Sequence, residues 1–207
     1  MLIANKKPIC LIGFKSSTIT QEAHYFISKE FSGNIVILSP DEFLDLEVKS
    51  QYQYIVAFTL ETEKRKYIID VLTELNLDSP IYIHDSVVCY TDDIPSVIGK
   101  GTFIAPNSTV LLDSKIGKYC VIETYCLVSH YTTLSDNVIL HSGTMIAGKT
   151  SIGPNCIFNF KSAVLNGLSI CGDIELGACS VITKDADTPG YYLGSVARRV
   201  GNTKTYL

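Results

Sequence analysis

Stepping by six residues from Ile98 meets an aliphatic or aromatic side chain at every step, through Ile104, Val110, Ile116 and Ile122 to Ile182, fifteen positions without an insertion. A period of six fits neither the 3.6-residue turn of an α-helix nor the two-residue alternation of a strand. It fits a parallel β-helix of hexapeptide repeats, in which three hexads close one triangular coil, so fifteen give five coils. Each repeated aliphatic then points inward and stacks on its equivalent one coil later, about 4.8 Å along the axis.

A second column, four residues after the first, carries Thr102, Ser108, Ser114, Cys120, Cys126, Thr132 and so on to Ser180. Nearly all are small or β-branched, as an inward corner requires. Gly99, Gly117, Gly153 and Gly177 directly follow the aliphatic, and Pro106 and Pro154 come two after it. Such residues break ladders and suit turns.

The first half of the chain follows another rule. PICLIGF, NIVIL, YIVAFTL and IYI read as four strands, with helical stretches from about Thr20 to Phe31 and from Glu61 to Leu77 between them. Strands alternating with helices predict a small parallel α/β domain over roughly residues 1–85. The segment DSVVCYTDDIPS reads as the linker, dividing the chain into 1–90 and 91–207.

The net charge is −4 and the longest basic run is Lys64-Arg65-Lys66, so the electrostatic footprint of a nucleic-acid binder is missing. The apolar stretch near the N-terminus is too short for a signal peptide or a membrane span, which predicts a cytoplasmic protein with no membrane partner. Seven cysteines occur without a CxxC pair, which predicts reduced thiols and no zinc site of the usual spacing. Cys120, Cys126 and Cys156 fall in the inward column, where a thiol acts as a small hydrophobe rather than a nucleophile.

Ile83-His84-Asp85-Ser86, the stretch from Ser129 to Gly148, and the ending VITKDADTPGYYLGSVARR together give the chain a family likeness. It resembles the bacterial hexapeptide-repeat sugar acyltransferases, which include sialic-acid O-acetyltransferases and nucleotide-linked amino-sugar N-acetyltransferases. The resemblance implies an N-terminal Rossmann-like α/β substrate-binding domain followed by a left-handed parallel β-helix with a C-terminal lid. It also implies a homotrimer with active sites between adjacent β-helices, and acetyl-CoA as acyl donor with no metal. The departures are specific. Gly13-Phe14-Lys15-Ser16-Ser17 replaces the family's glycine-rich turn with a histidine, Tyr131 replaces an acid, and Val196 replaces a proline.

By this resemblance His130 is the general base, and the amide of Gly148, one coil on, donates to the oxyanion that forms at the thioester. Asn166 follows one further coil on, so His130, Gly148 and Asn166 share a corner. Gly148, Ala147, Asn166, Arg198 and Arg199 are the candidate contacts to coenzyme A, with Gly190, Tyr191 and Tyr192 in the lid. Tyr131, His141, Glu123 and Gly13 are the candidate substrate contacts. The repeat stacks Glu123 under His141, as a second acid–base dyad, a substrate clamp or a solvated surface pair. His24 and His84, inside a helix and at the end of a strand, are read as structural.

The reaction implied is acetyl-CoA-dependent N-acetylation of an amino sugar, a nucleotide-linked 4-amino-6-deoxy sugar, by direct attack without an acyl-enzyme. O-acetylation of a sugar hydroxyl and a noncatalytic β-helix scaffold or sugar-binding module are the alternatives. A γ-type carbonic anhydrase on the same scaffold needs three histidines converging on zinc, which the spacing does not supply.

Overall fold

The computed structural model describes residues 6–91 and 93–202, together with the backbone of 2–3. The first part runs β1 (Leu2–Ile3), β2 (Ile9–Ile12), α1 (Thr18–Glu30), β3 (Ile35–Leu38), α2 (Pro40–Asp45), β4 (Gln53–Val56), α3 (Thr62–Glu74) and β5 (Ile81–Ile83). A three-stranded parallel sheet forms in the order β3-β2-β4. Alternation along β2 sends Ile9 and Leu11 to the face covered by α1, and Cys10 and Ile12 to the face covered by Phe43 of α2 and by Ile68 and Leu72 of α3. Helix α2 opens with a capping box, in which the Ser39 hydroxyl accepts from Glu42 N and the Glu42 carboxylate accepts from Ser39 N.

The fourth predicted strand does not join this sheet. β5 pairs in parallel with Phe103–Ile104 and is the first rung of a β-solenoid. Ile81 and Ile83 point into the solenoid core while Tyr82 points out toward the α/β unit, so one strand serves both hydrophobic clusters. The predicted linker is likewise part of the solenoid. Val88–Cys89 (β6) pairs with Thr109–Val110, and Ile98 bridges Ile116. The step from Cys89 to Ile98 exceeds a hexad by three residues and contains the short helix α4 (Ile94–Val97). Asp92, in the same segment, lies outside the described residues.

From there the hexads follow their predicted register. Three parallel sheets result, and the solenoid has about six turns, one for each strand of its six-stranded second sheet, rather than five. At the far end Gly190–Leu193 adds to the first sheet and Arg198–Gly201 folds back antiparallel on it. Each complete turn between sheets places one residue, three after the inward aliphatic, in the left-handed region; Asn107, Tyr125, Tyr131 and Lys149 have φ of 58–60°.

The second column is more than small. Its hydroxyls and thiols donate to main-chain carbonyls in the following coil: Ser108 Oγ to Glu123 O at 2.7 Å, Ser114 Oγ to Ser129 O at 2.7 Å, Thr132 Oγ1 to Ala147 O at 3.1 Å and Cys156 Sγ to Cys171 O at 3.2 Å. Buried turn carbonyls thereby find partners that the ladders cannot give them.

The residue before each inward aliphatic sets the character of each outer face. On the first sheet it is Tyr82, Phe103, Val121, Ile139 or Ile157, all buried under the α/β unit, and at the far end Glu175, also buried. On the third it is Lys115, Thr133, Ser151 or Ser169, all exposed. On the second it is Thr109, Leu127, Met145, Ala163 or Val181, a partly exposed and mostly apolar stripe on which Met145 remains 52% exposed.

Arg65 joins the two units. It is 1% exposed and has four oxygen acceptors: its Nη1 donates to Val56 O (2.9 Å) and Phe58 O (2.6 Å), its Nη2 to Tyr119 O (2.7 Å) and its Nε to Asn137 Oδ1 (2.9 Å). Burial lowers its pKa to about 10, which leaves it charged at neutral pH.

Candidate active site

Docking the α/β unit on the first sheet leaves a cleft of about 660 Å³ between them. One wall is the segment Phe14–Ile19 that enters α1 and lines the cleft with Ser16, Ser17 and Thr18; Ser17 is the N-cap, and its side chain makes no capping bond. The opposite wall is Phe58 to Glu61, and Glu61 holds a left-handed φ of 59° as it caps α3. The floor is a ladder of residues that each follow an inward aliphatic: Glu123, His141 and Asn159.

Within that floor His141 Nδ1 lies 2.9 Å from Glu123 Oε1, and Glu123 Oε2 accepts from Ser142 N at 3.0 Å and Ser142 Oγ at 3.1 Å. Burial acts to raise the Glu123 carboxyl, but the His141 and Ser142 hydrogen bonds and the imidazole charge outweigh it, and the group titrates below its ordinary value. A carboxylate on Nδ1 fixes the tautomer with the proton there, leaving the Nε2 lone pair. The ring is stacked on Phe160, centroids 5.1 Å apart and planes 27° from parallel. No buried side-chain nitrogen or oxygen among the described residues lacks a partner, and Nε2 has no partner among them, so it opens into the cleft.

His130 sits elsewhere, at the corner where the chain leaves the second sheet for the third. It is exposed, and its ring lies over Gly148: a Cβ built on Gly148 would lie 2.6 Å from His130 Cε1 and 2.8 Å from Nε2. The glycine is required for space rather than for its φ, which is not left-handed. Among the described residues nothing accepts from the Gly148 N–H, and the Gly148 carbonyl accepts from Gly167 N at 2.9 Å. Tyr131 meets the imidazole edge to face, centroids 5.5 Å apart, without a hydrogen bond. Asn166, one coil beyond Gly148, is exposed. Ala147 is half-buried and its carbonyl receives the Thr132 hydroxyl.

The remaining predicted contacts are dispersed. Gly13 is buried against Thr20 Oγ1 and Ala57 O, where a side chain would collide, so it serves packing, and its neighbours Phe14 and Ser16 reach the cleft instead. Arg199 is held by Pro189 O at 2.7 Å and Asn202 Oδ1 at 2.9 Å, whereas Arg198 is exposed in the same terminal strand. Sequence reasoning did not find Phe160, Phe58 and Glu61 as cleft residues; Phe160 follows Asn159 by one residue, and only the ladder spacing pointed near it. His84 is bonded to Ser86 Oγ through Nδ1 and packs on Phe26, and His24 lies within α1.

No metal cluster of three or more suitable side chains occurs among the described residues, and no described helix is long and apolar enough to cross a membrane. Burial pushes the thiols of Cys120, Cys126 and Cys156 up to about 12, far from a nucleophile's range.

No family model matches the chain. Solved structures do. The acetyltransferase domain of PglB from Neisseria gonorrhoeae superposes with a TM-score of 0.83 at 20% identity, covering 95% of this chain and 100% of that one. Perosamine N-acetyltransferase from Caulobacter crescentus, in complex with CoA and GDP-perosamine, gives 0.79 at 19% identity, over 96% of this chain and 99% of that one. WeeI from Acinetobacter baumannii gives 0.60 at 16% identity, over 93% and 99%. Over nearly its whole length the chain thus shares the fold of these solved acetyltransferase structures, an α/β unit joined to a parallel β-solenoid.

Proposed function

We propose that this protein transfers the acetyl group of acetyl-CoA to the amine of a nucleotide-linked amino sugar, a 4-amino-6-deoxy sugar. The observation that carries the reading is the polarity of the cleft. The entry to α1, with the hydroxyl-bearing Ser16, Ser17 and Thr18 and no acidic residue in the first turn of the helix, forms one wall and suits a diphosphate, while Glu123 and His141 form the floor and suit an amine. A ligand anionic at one end and cationic at the other matches that layout. The acetyltransferase from Caulobacter, solved with CoA and GDP-perosamine, supports the same assignment by its shared fold. On this reading the α/β unit is a reduced Rossmann-like nucleotide-binding domain and the solenoid is left-handed. The domain division is drawn before β5, because β5 and β6 contribute rungs to the solenoid.

Acyl transfer takes place at the other corner. His130 accepts a proton from the attacking nitrogen, and the N–H of Gly148 donates to the thioester oxygen as it becomes an oxyanion. Ala147, Asn166, Arg198 and Arg199 lie toward coenzyme A, with Arg198 the freer guanidinium. Tyr131 bounds the imidazole and faces the acceptor. Acetyl-CoA is a cosubstrate, and no metal takes part.

His130 and the cleft lie on different corners of one solenoid, so one chain does not hold the whole site. The apolar stripe on the second sheet lies between those corners. Packed in a homotrimer, that stripe is covered, and the His130 corner of one copy faces the cleft of the next. The setting is the cytoplasm, where acetyl-CoA and nucleotide sugars are both present.

The test is incubation with acetyl-CoA and a panel of UDP-, GDP- and dTDP-linked 4-amino-6-deoxy sugars beside their hydroxyl counterparts, with product read by mass spectrometry. Acetylation of an amino sugar that disappears in His130→Ala, with acetyl-CoA binding retained, is the expected result. Acetylation of only a hydroxyl sugar overturns the choice of acceptor, and absence of acetyl-CoA binding overturns the activity.

A further inference from the structure

The Glu123–His141 pair has the features of a proton-accepting dyad and lies apart from the corner to which acyl transfer is assigned. Its ring is fixed by two independent contacts, the carboxylate on Nδ1 at 2.9 Å and the parallel Phe160 ring at 5.1 Å. Its free nitrogen opens into the cleft. His130 lacks the first restraint, since among the described residues no hydrogen bond reaches its ring, and its aromatic contact is the edge-to-face one with Tyr131.

The charges around the dyad are all of one sign. Glu123 lies under His141 on the solenoid, Glu61 stands on the opposite wall, and Glu22 of α1 is close enough to Glu123 that its carboxyl, raised first by burial, is raised further by that neighbour's charge. Among the described residues no lysine or arginine lines the cleft; Lys64 lies behind Glu61, 3.3 Å from its Oε2. Such a setting attracts a cation and then favours moving its proton onto a neutral acceptor held by a carboxylate.

An amine reaches an enzyme at neutral pH chiefly as an ammonium ion, which has no lone pair for attack. Resting on the amino-sugar reading above, we infer that the acceptor's ammonium group is received at Glu123 and His141, and that His141 Nε2 takes its first proton. The step converts the ammonium to the free amine and neutral His141 to imidazolium, with Glu123 as the positioning residue. The amine nitrogen then bonds to the thioester carbon and the C–S bond breaks. The second nitrogen proton passes through His130 to the departing thiolate, giving HS-CoA and the amide. His141 returns its proton to solvent through the open cleft, so the balance is ammonium plus acetyl-CoA to amide, HS-CoA and one proton. Two histidines thus act on two successive protons of one nitrogen.

The experiment is a pH–rate profile of the intact protein from pH 6 to 9.5 with the amino sugar that wild type acetylates, for wild type, His141→Gln, Glu123→Gln and His130→Ala. His141→Gln is expected to lose about 10²-fold in kcat/KM at pH 7. It should recover most of that loss by pH 9.5, where the amine sheds its proton unaided, and keep its KM for acetyl-CoA. Glu123→Gln, which keeps an acceptor for Nδ1 but removes the charge, should move the acid limb to lower pH and reduce the plateau. His130→Ala should stay inactive throughout. Circular dichroism and acetyl-CoA binding, measured in parallel, identify any variant that has merely unfolded; for such a variant His141→Asn is substituted. Wild-type rates in His141→Gln at pH 7, or an equal deficit at every pH, overturn the inference and leave the proposed function standing. A wild type that acetylates no amino sugar overturns the proposed function, and this inference with it.

Discussion

The imidazole of His130 rests directly on the Cα of Gly148, so close that a Cβ there would lie 2.6 Å from Cε1. Since the φ of Gly148 is one that other residues adopt, the side-chain-free surface exists for the ring and not for the turn.

Gly148→Ala should therefore reproduce much of the effect of His130→Ala, a loss of about 10²-fold or more in acetyl transfer, by pushing the ring aside. The melting temperature should hold within a few degrees, because His130 is exposed and can move. Steady-state kinetics with a thermal melt checks this; full activity in Gly148→Ala would mean that the ring position is immaterial.

Arg65→Met should cost at least about 3 kcal/mol, because the buried oxygens left without a donor each cost about 1–3 kcal/mol. For a chain of this length that is a fall of about 6–12 °C in Tm. Arg65→Lys should recover only part of it, since one ammonium cannot span acceptors arranged for a planar fork. Calorimetry of the three proteins decides.

Glu123 titrates below its ordinary 4.5 in the folded state. A depressed carboxyl contributes stability that is fully present above its unfolded value and is lost as pH falls through its folded one. The Tm advantage of wild type over Glu123→Gln should accordingly be steady near neutrality and shrink below about pH 4.5. A gap that stays constant from pH 7 to pH 3 would show that the carboxylate charge is not what the fold uses.

Of the seven free cysteines, Cys179 is exposed, Cys89 and Cys171 are intermediate, and the other four are buried. Native protein treated with an alkylating reagent should be modified at Cys179 first and remain intact at Cys10, Cys120, Cys126 and Cys156 until denatured. Peptide mass spectrometry reads the order directly.

In the homotrimer proposed above, Met145→Glu on the second-sheet stripe should give monomers that keep their circular dichroism spectrum, and acetyl transfer should fall with assembly. Sedimentation velocity distinguishes this from a chain that was never a trimer.

The solenoid was legible because its period is strict and its inward residues change little in kind. It was legible from Ile98 only; Ile83 and Cys89 already stand six apart, but the three extra residues before Ile98 break the count and hide the first coil. The same broken count made IYI look like a fourth strand of the α/β unit. Glu123 and His141 could be paired from the sequence, because the stacking distance in a solenoid is also a sequence distance. The cleft above them could not, since Phe14 and Phe58 come from loops whose placement depends on docking. Arg65 was hidden more deeply. It reads as the middle of a surface charge run, and three of its four acceptors are main-chain carbonyls, which leave no mark on a sequence.

That guanidinium takes oxygens from both halves of the chain: Val56 and Phe58 from the α/β unit, Tyr119 and Asn137 from the solenoid. Neither half alone can accommodate the charge, so the two are not interchangeable parts. A recombinant that joins this α/β unit to a foreign β-helix inherits a buried cation with half its shell, and must also import the turns at 119 and 137 if the graft is to hold.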